Sequence, residues 1–574
     1  MDKRRKRRER KNIQHKELRI VGIIVGCIIP LILILFFASI QIKKIKEYDW
    51  TQIAQQLGIG KEEQQEDKLP QTKEDSTQQE DITLTDDKLL LALSYLCGEE
   101  STLDEKSAFS YIKETADSGN GDAQYFAGQM YQYGIGTEAD LDYAGVYLKR
   151  AVENNNGRAF APYAGLCFIG YQDAENGYTK VQDYEKAREL FAAAEQSGDA
   201  QAAYALGVIY FYGMCVEPDF NLANAYFTKA VEGGCTQAQV WKNRVQTYVT
   251  QEKVSVPESS RQLPTDTIYK DDRMNQLIAR YAQILEQTDN QGAFAQELQS
   301  MVQVAPEAAW YTVLYGKNDW LFYQNASDGN TYEDYIGNPE KYFSIEEKAA
   351  IKKNLEEKRD AVKAQNENAR FVVLIIPNKE TIYSEYMPSY IERISQKTRT
   401  DDLVEYLQAN TDVEIAYAKD AMMANKEEHQ LYYYTDTHCN MKGAYVALSE
   451  VMKIYDKKLT LDDSCFTTNA ELYTGDLGNM LGRADRYKDD TVFNLNPSTI
   501  SEEDKVEKKA LLIGDSFGEF IKMQAEKYFL NGLTFKFIGD FGFHYNTTMN
   551  ASLDNEVVDL VIWECAERYI DRLK

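Results

Sequence analysis

The stretch from Lys509 to Gly518 reads KALLIGDSFG and joins a short apolar run to a polar turn. An apolar run that ends at a glycine is typical of a buried strand in a parallel sheet. A helical pattern follows at once, over residues 517–529. This order places Ser516 at the carboxyl end of a strand, where open α/β sheets bind their ligands. The stretch therefore predicts an α/β domain with Ser516 at its functional edge.

Two further apolar runs of the same kind lie in the last part of the chain. They read FVVLIIP at 371–377 and VVDLVIW at 557–563. Between the runs lie helical patterns at 344–366, 399–409 and 442–455. Alternation of strands and helices is typical of a doubly wound sheet, so we predict an α/β domain over residues 308–574.

Ser516 is a candidate nucleophile. A serine hydroxyl attacks only weakly unless a neighbouring base takes its proton. The start of the following helix offers free backbone N–H groups and a partial positive charge, which suit a developing oxyanion. The alternative is that Asp515 and Ser516 only cap that helix.

His438 is the best candidate for the base among the four histidines of the chain. It follows Asp436 by two residues, and a carboxylate so placed can hold the imidazole in the correct tautomer. His15 lies in the basic N-terminal segment, and His429 lies in a charged stretch. A purely structural role for His438, or a catalytic role for His544, stays open. We therefore predict that Asp436 and His438 act with the serine as a triad, and that His438 lies within hydrogen-bonding distance of it.

Residues 87–250 repeat a pattern of paired helices. The segment AQYFAGQMYQYG at 123–134 is matched by AAYALGVIYFYG at 202–213, and turn glycines recur at 98, 134, 170 and 213. The pattern resembles the Sel1-like branch of the tetratricopeptide repeats. The resemblance implies an all-α solenoid whose concave surface binds a protein partner. The alternative is that the repeats only space the last domain from the membrane.

The N-terminal segment predicts a single membrane anchor. Ten Lys or Arg lie within residues 1–19, and residues 20–40 carry no charge. A helix of that length crosses a hydrocarbon core of about 30 Å. The positive charges place the N-terminus in the cytoplasm and the later domains outside the cell. We predict a cytoplasmic tail (1–19), a transmembrane helix (20–42) and an acidic linker (43–86).

The composition excludes several classes of function. A net charge of −27 argues against nucleic acid as a partner. Cys97, Cys167, Cys215 and Cys235 fall inside the repeats and are predicted to be buried free thiols. No Cys or His spacing indicates a metal site, and no cofactor is predicted. Residues 251–307 are predicted to form a connector with helices at 271–288 and 294–303.

The last domain resembles the alginate O-acetylation proteins of the AlgX/AlgJ type and their DHHW relatives, which belong to the SGNH-hydrolase superfamily. The resemblance rests on the two polar motifs above and on three further segments, GKNDWLF at 316–322, PNKETIY at 377–383 and WECAERY at 563–569. It implies an SGNH-like (flavodoxin-like) fold and acyl transfer outside the membrane, from Ser516 to a polysaccharide hydroxyl. It also implies a membrane-bound O-acyltransferase as partner.

Four residues are predicted to contact the substrate: Asn378, Lys379, Asn440 and Asp476. Asn378 and Lys379 could equally cap and solvate a loop, and Asp476 could be a turn residue. Cys439 stands where the family often has tryptophan, and it is a weaker candidate nucleophile. Two other functions stay open. One is a carbohydrate acetylesterase with the same triad, and the other is a non-catalytic, glycan-binding assembly factor.

Overall fold

The computed structural model describes residues 77–99, 104–250, 254–289, 292–302, 313–324, 331–488, 490–538 and 545–574. The predicted tail, the predicted anchor and residues 43–76 of the predicted linker lie outside these residues. Within them, we find no helix with the length and apolar character that a membrane span requires.

Part of the predicted linker is helical. Helix α1 begins at Thr77, so residues 77–86 belong to a helix and not to a linker. These residues contain no glycine or proline, and Gln and Glu among them have good helix propensity. The helix of the first repeat can therefore extend backwards into the polar segment.

The repeat region is built from paired helices. Helix α3 packs on α4, α5 on α6 and α7 on α8, as the repeat pattern predicts. A short antiparallel hairpin, β1 with β2, is inserted between α5 and α6. The elements are α1 Thr77–Leu96, α2 Glu105–Asp117, α3 Gly121–Tyr133, α4 Leu141–Glu153, α5 Phe160–Ile169, β1 Tyr171–Asp173, β2 Thr179–Val181, α6 Tyr184–Gln196, α7 Ala200–Tyr212, α8 Phe220–Glu232 and α9 Ala238–Val245.

The repeated helices have matching ends. Helices α3 and α7 begin after Asn120 and Asp199, whose side chains accept hydrogen bonds from first-turn N–H groups. Both helices end at a glycine with a left-handed backbone, Gly134 or Gly213. These glycines are two of the four that the repeat spacing identified.

The connector helices are part of the repeat core. They are α10 Asp272–Asp289 and α11 Ala293–Met301, close to their predicted positions. Phe294 of α11 stacks on Phe191, and its ring also meets the edge of Phe168. The connector helices therefore pack into the same core as the repeat helices and do not form a separate linker.

The last domain is a parallel sheet with helices on both faces. One face packs against α17 and α19, and the other packs against α13, α15 and α20. Its elements are β3 Val313–Tyr315, β4 Leu321–Tyr323, α12 Thr331–Ile336, α13 Ile345–Gln365, β5 Arg370–Ile376, α14 Lys379–Ile382, α15 Arg399–Asn410, β6 Glu414–Tyr417, α16 Lys419–Asn425, α17 Met441–Met452, β7 Phe466–Tyr473, α18 Asp476–Met480, β8 Asp490–Leu495, β9 Ala510–Gly514, α19 Ser516–Ala525, β10 Leu533–Phe537, α20 Tyr545–Leu553 and β11 Leu560–Ala566.

The strand order of the sheet is β10-β9-β11-β5-β6, with every pair parallel. Read from β6 to β10, the strands have the sequence ranks 2-1-5-3-4, so the last strand lies in the centre. A flavodoxin-like sheet has the order 2-1-3-4-5. The expected flavodoxin-like order is therefore wrong, although the doubly wound architecture is present. Strand β11 is buried along its whole length, which suits the central position. The edge strands β6 and β10 carry partly exposed residues, and the sequence pattern did not predict them.

Candidate active site

The turn after β9 presents Ser516 at the carboxyl edge of the sheet. Asp515 is the N-cap of α19, and its Oδ1 accepts a hydrogen bond from the backbone N–H of Phe517 at 3.0 Å. Its Oδ2 accepts from the N–H of Ala566 at the end of the neighbouring strand β11, at 3.1 Å. Asp515 therefore forms the helix cap, which leaves the hydroxyl of Ser516, the first residue of the helix, to face outwards.

A buried carboxyl group supports this turn from below. Oε2 of Glu564, in β11, accepts the backbone N–H of Asp515 at 3.0 Å. A Cβ atom at Gly514 would lie only 2.4 Å from that oxygen, so the close approach requires glycine. Burial, followed by the charge of Asp515, raises the pKa of Glu564 well above its ordinary value. This shift favours the protonated form of the carboxyl group beneath the Ser516 turn.

His438 lies between Ser516 and Asp436. The Nε2 atom of His438 is 2.8 Å from Oγ of Ser516, within the expected range. Its Nδ1 atom is 2.6 Å from Oδ1 of Asp436. Because a carboxylate only accepts hydrogen bonds, Nδ1 carries the proton and Nε2 is free to accept one. The three side chains thus form one hydrogen-bonded series with the polarity that proton removal from Ser516 requires.

Asp436 is held as an anion. Oδ2 accepts from the hydroxyl of Tyr473 at 2.7 Å and from the N–H of Asp476 at 3.1 Å, while Oδ1 also accepts the N–H of His438 at 2.9 Å. Burial alone would raise the pKa of Asp436, but the hydrogen bonds from the side chain and backbone of His438, helped by that from Tyr473, hold it well below the ordinary value. The carboxylate is therefore charged at neutral pH and fixed in direction.

Asp476 is the second carboxylate beside the imidazole. Its Oδ2 atom is 3.9 Å from Nδ1 of His438 and accepts the hydroxyl of Thr437 at 2.7 Å. Its Oδ1 atom accepts the N–H of Thr437 at 2.8 Å. Burial and the charge of Asp436 raise the pKa of Asp476 above its ordinary value. The structure thus brings Asp476 to the site, as a support for the segment that carries His438.

Asp436, His438 and Asp476 also have the composition of a metal-ligand set, with one ligand atom each within 4.8 Å of one another. In this arrangement, however, Nδ1 of His438 and Oδ1 of Asp436 share a proton. Both oxygens of Asp476 accept hydrogen bonds from Thr437. Hydrogen bonding within the protein therefore accounts for the cluster.

Lys379 does not face the site as predicted. Its ammonium group is buried and donates to the carbonyl oxygens of Leu321, Tyr434 and Asp436. Those three acceptors match its three hydrogens, so none remains for a substrate. Burial lowers the pKa of Lys379 to about 8. The prediction of a substrate contact is corrected, because Lys379 ties β4 to the loop that carries Asp436.

Asn440 is also a structural residue. Its Oδ1 accepts the N–H groups of Lys442 and Gly443, and its Nδ2 donates to the carbonyl of Gln430 at 2.7 Å. It is the N-cap of α17 and is fully buried, so the predicted substrate contact is corrected here as well.

In the part of the chain that the structure describes, the side chain of Asn378 uses only its oxygen in hydrogen bonding. Its Oδ1 accepts the N–H of Arg568 at 3.2 Å, whereas its buried Nδ2 has no hydrogen-bond partner among the described residues. The residue follows β5 at the carboxyl edge of the sheet. Its predicted contact with the substrate stays a prediction, and the free amide is compatible with it.

The other candidate groups lie away from this arrangement or outside the described residues. His429 pairs with Asp463 at 3.0 Å, whereas His15 and His544 lie outside the described residues. Cys439 is fully buried, and burial raises the pKa of its thiol. The described cysteines are all free thiols, and Cys97, Cys167, Cys215 and Cys235 are buried as predicted.

The sequence did not reveal the aromatic surroundings of His438. The centroid of the imidazole ring lies 4.7 Å from the ring centroid of Phe517 and 5.6 Å from that of Phe520. Tyr473, which bonds Asp436, is at the end of the exposed strand β7 and 37 residues from it in sequence. A helical spacing from Ser516 could have indicated Phe520, but nothing near Tyr473 marks its role.

Comparison with known proteins assigns both regions. Residues 313–567 match the family described as SGNH hydrolase-like domain, acetyltransferase AlgX. Residues 121–156, 165–199 and 200–235 match the Sel1 repeat.

Solved structures with similar regions include the O-acetyltransferase domain of AlgJ from Pseudomonas putida, which is 21% identical in sequence. The match covers 45% of this chain and 92% of that chain, with a TM-score of 0.33. PatB1 of Bacillus cereus has 15% identity, with 46% and 98% covered and a TM-score of 0.30. A Sel1 repeat protein from Oxalobacter formigenes has 20% identity, with 36% and 76% covered and a TM-score of 0.26. The chain thus combines Sel1 repeats with an AlgX-type SGNH hydrolase-like domain.

Proposed function

We propose that this protein is a membrane-anchored O-acyltransferase that transfers an acetyl group to a hydroxyl of an exopolysaccharide or cell-wall glycan. The AlgX family description, which names an acetyltransferase, supports the reaction class. The observation that carries the proposal is the series Ser516–His438–Asp436, with distances of 2.8 Å and 2.6 Å, at the carboxyl edge of the sheet.

The first half of the reaction loads Ser516. Nε2 of His438 accepts the hydroxyl proton while Oγ attacks the acyl carbonyl carbon of the donor. The imidazolium that forms is stabilised by the charged Asp436, and it then gives its proton to the leaving group. The result is an acyl ester on Ser516 and a neutral imidazole, ready for a second proton transfer.

The second half transfers the acyl group. A sugar hydroxyl gives its proton to Nε2 of His438 and attacks the ester carbonyl, after which His438 returns the proton to Oγ of Ser516. In both halves, negative charge develops on the carbonyl oxygen near the backbone N–H of Ser516, because the next two N–H groups of α19 already donate to Asp515. The amide of Asn378 is a further candidate donor to this oxygen.

The proposed cellular setting follows from the sequence. The uncharged segment at residues 20–40 and the basic residues before it support an anchor with the catalytic domain outside the cell. A site on that side of the membrane has no cytoplasmic acyl donor, so the proposal includes a membrane-bound O-acyltransferase that supplies the acyl group. The Sel1 repeats are the proposed surface for a protein partner.

An acetylesterase is the second candidate, because Ser516 is partly exposed and water could replace the sugar hydroxyl. Both reactions share the first half, so only the acceptor distinguishes them. A glycan-binding assembly factor, in contrast, has no need of a proton-removing base at a serine.

The test uses the full-length chain in detergent with p-nitrophenyl acetate as donor. We expect release of p-nitrophenol and a transient acetyl-enzyme by intact mass, both absent in Ser516→Ala and unchanged in the exposed control Ser498→Ala. Equal hydrolysis by Ser516→Ala and wild type would contradict the enzyme function. Addition of oligosaccharides then separates the two candidates, since acetylated sugar identifies a transferase and free acetate alone identifies an esterase.

A further inference from the structure

The segment 473–487 lies between the active site and the repeats. It begins at Tyr473 and contains helix α18, whose first residue is Asp476. Its first part contacts Asp436 through the Tyr473 hydroxyl and the Asp476 N–H. Gly475 packs so closely that a Cβ atom there would lie 2.5 Å from Cβ of Asp436. The position of Asp436 therefore depends on the position of this segment.

The other side of the same segment is docked on the repeat region. Leu477, Leu481 and Tyr487 are buried in the apolar cluster that also contains the repeat helices and connector helices. Leu477 directly follows Asp476, so adjacent residues of one short helix face the catalytic domain and the repeats. A shift of the docked face would move the face that holds Asp436.

A partly buried ion pair to α11 and a hydrogen bond to the end of α5 fix the docking. Arg483 donates to both carboxylate oxygens of Glu297 in α11, at 2.9 and 3.1 Å, and to Oγ of Ser300 at 3.2 Å. Arg486 donates to Asp319 at 2.8 Å and to the carbonyl of Ile169 at 2.9 Å. Such paired, hydrogen-bonded charges are directional, and loss of one partner leaves the other uncompensated.

The path from the ion pair to the active site is short. The backbone N–H of Arg483 donates to the carbonyl of Gly478 at 3.1 Å, and the N–H of Gly478 donates to the carbonyl of Thr435 at 3.1 Å. Thr435 is adjacent to Asp436 in sequence. The Thr435 hydroxyl accepts the N–H of Gly475 at 2.8 Å.

We propose that Arg483 is a positioning residue, and that the repeats hold Asp436 in its productive orientation through the ion pair of Arg483 with Glu297. This inference rests on the proposed function, because it concerns the same triad. It gives the repeats a role in catalysis besides any role in binding a partner, since a partner that moves α11 would alter the orientation of Asp436.

The test measures the reactivity of Ser516 in the full-length chain with phenylmethylsulfonyl fluoride. Oγ of Ser516 bonds to sulfur, fluoride leaves, and His438 takes the hydroxyl proton, so the rate reports on the assembled triad. We expect Arg483→Ala and Glu297→Gln each to slow sulfonylation about tenfold or more. The double variant should be no slower than the slower single variant, because both remove one interaction. Arg483→Lys should recover part of the rate.

The kinetic split and a matched control separate positioning from a general structural role. In Arg483→Ala and Glu297→Gln, kcat for p-nitrophenyl acetate should fall while KM stays near the wild-type value. Here kcat is calculated per molecule that phenylmethylsulfonyl fluoride can label. Arg370→Ala is the matched control, because it breaks an ion pair with Glu414 at the amino end of β5. The segment 473–487 does not contact this ion pair. The control should therefore keep the wild-type sulfonylation rate and kcat.

Unchanged sulfonylation and kcat in Arg483→Ala and Glu297→Gln, even with a lower melting temperature, would overturn this inference. Failure of wild-type Ser516 to react at all would instead overturn the proposed function. If Arg483→Ala does not fold, Glu297→Gln gives the answer, because the amide keeps the size of the side chain and one oxygen acceptor but removes the charge.

Discussion

Tyr473 donates its hydroxyl to Oδ2 of Asp436 at 2.7 Å, while the other carboxylate oxygen accepts from His438 at 2.6 Å. The carboxylate is therefore held from both ends and cannot rotate away from the imidazole without breaking a hydrogen bond to a charged group. Tyr473 is 38% exposed, so the bond also lies at the rim of the site.

We expect Tyr473→Phe to lower kcat roughly tenfold, because a hydrogen bond to a charged group contributes about 1.5–3 kcal/mol and only part of that orients Asp436. The ring and its packing against Tyr433 stay in place. The measurement is steady-state hydrolysis of p-nitrophenyl acetate, with the exposed Tyr178→Phe as control. An unchanged kcat would mean that the other hydrogen-bond donors to Asp436 are enough to hold its carboxylate in place.

The two carboxylates near His438 should differ strongly in their effect. We expect Asp436→Asn to lower kcat by about 10⁴, since loss of the orienting carboxylate stabilises the wrong tautomer. Asp476→Asn keeps an acceptor for the Thr437 N–H. It should lower kcat about tenfold or less, because it only shifts the segment that carries His438. Both variants are compared at the same pH with the same donor. Equal losses would show that Asp476, and not Asp436 alone, orients the imidazole.

The local motifs predicted the parts of the site that lie close together in sequence. Asp436 and His438 are two residues apart, and Ser516 follows an apolar strand directly, so propensity and spacing suffice. Tyr473 and Glu564 reach the site only through the tertiary fold. The central place of β11 could not be predicted either, because periodicity identifies a buried strand but not its neighbours.

For Lys379 and Asn440, the sequence predicted a substrate contact that the structure does not support. Both are polar residues beside site motifs, which is why the sequence favoured a substrate contact. In the structure their hydrogen-bonding groups pair with backbone carbonyl and N–H groups that loops would otherwise leave buried and unsatisfied. A polar residue next to a motif can therefore support the loop instead of facing the ligand, and spacing alone does not separate the two roles.

Cys439 should be dispensable for catalysis. It is fully buried, and the raised pKa of its thiol leaves it protonated at neutral pH. We expect Cys439→Ala to keep wild-type kcat, with a loss of stability of about 1 kcal/mol from the small cavity. Iodoacetamide should leave the activity of the native protein unchanged. Loss of the acetyl-enzyme in Cys439→Ala would instead identify the thiol as the nucleophile.

The raised pKa of Glu564 predicts a dependence of stability on pH. Because its folded-state pKa is raised above the ordinary value of 4.5, the folded chain keeps this proton at pH values where the unfolded chain has released it. Its contribution to stability is therefore fully present at low pH and is lost as pH rises towards the folded-state pKa.

Glu564→Gln has no proton to lose and keeps an oxygen for the N–H of Asp515. The melting temperature of this variant should therefore fall less than that of wild type from about pH 5 to about pH 8, since linkage follows the difference in bound protons. Glu519→Gln, an exposed change in α19, serves as control and should follow the wild-type curve. Parallel curves for Glu564→Gln and wild type would mean that Glu564 is ionised in the folded protein, with a positive group near enough to balance it.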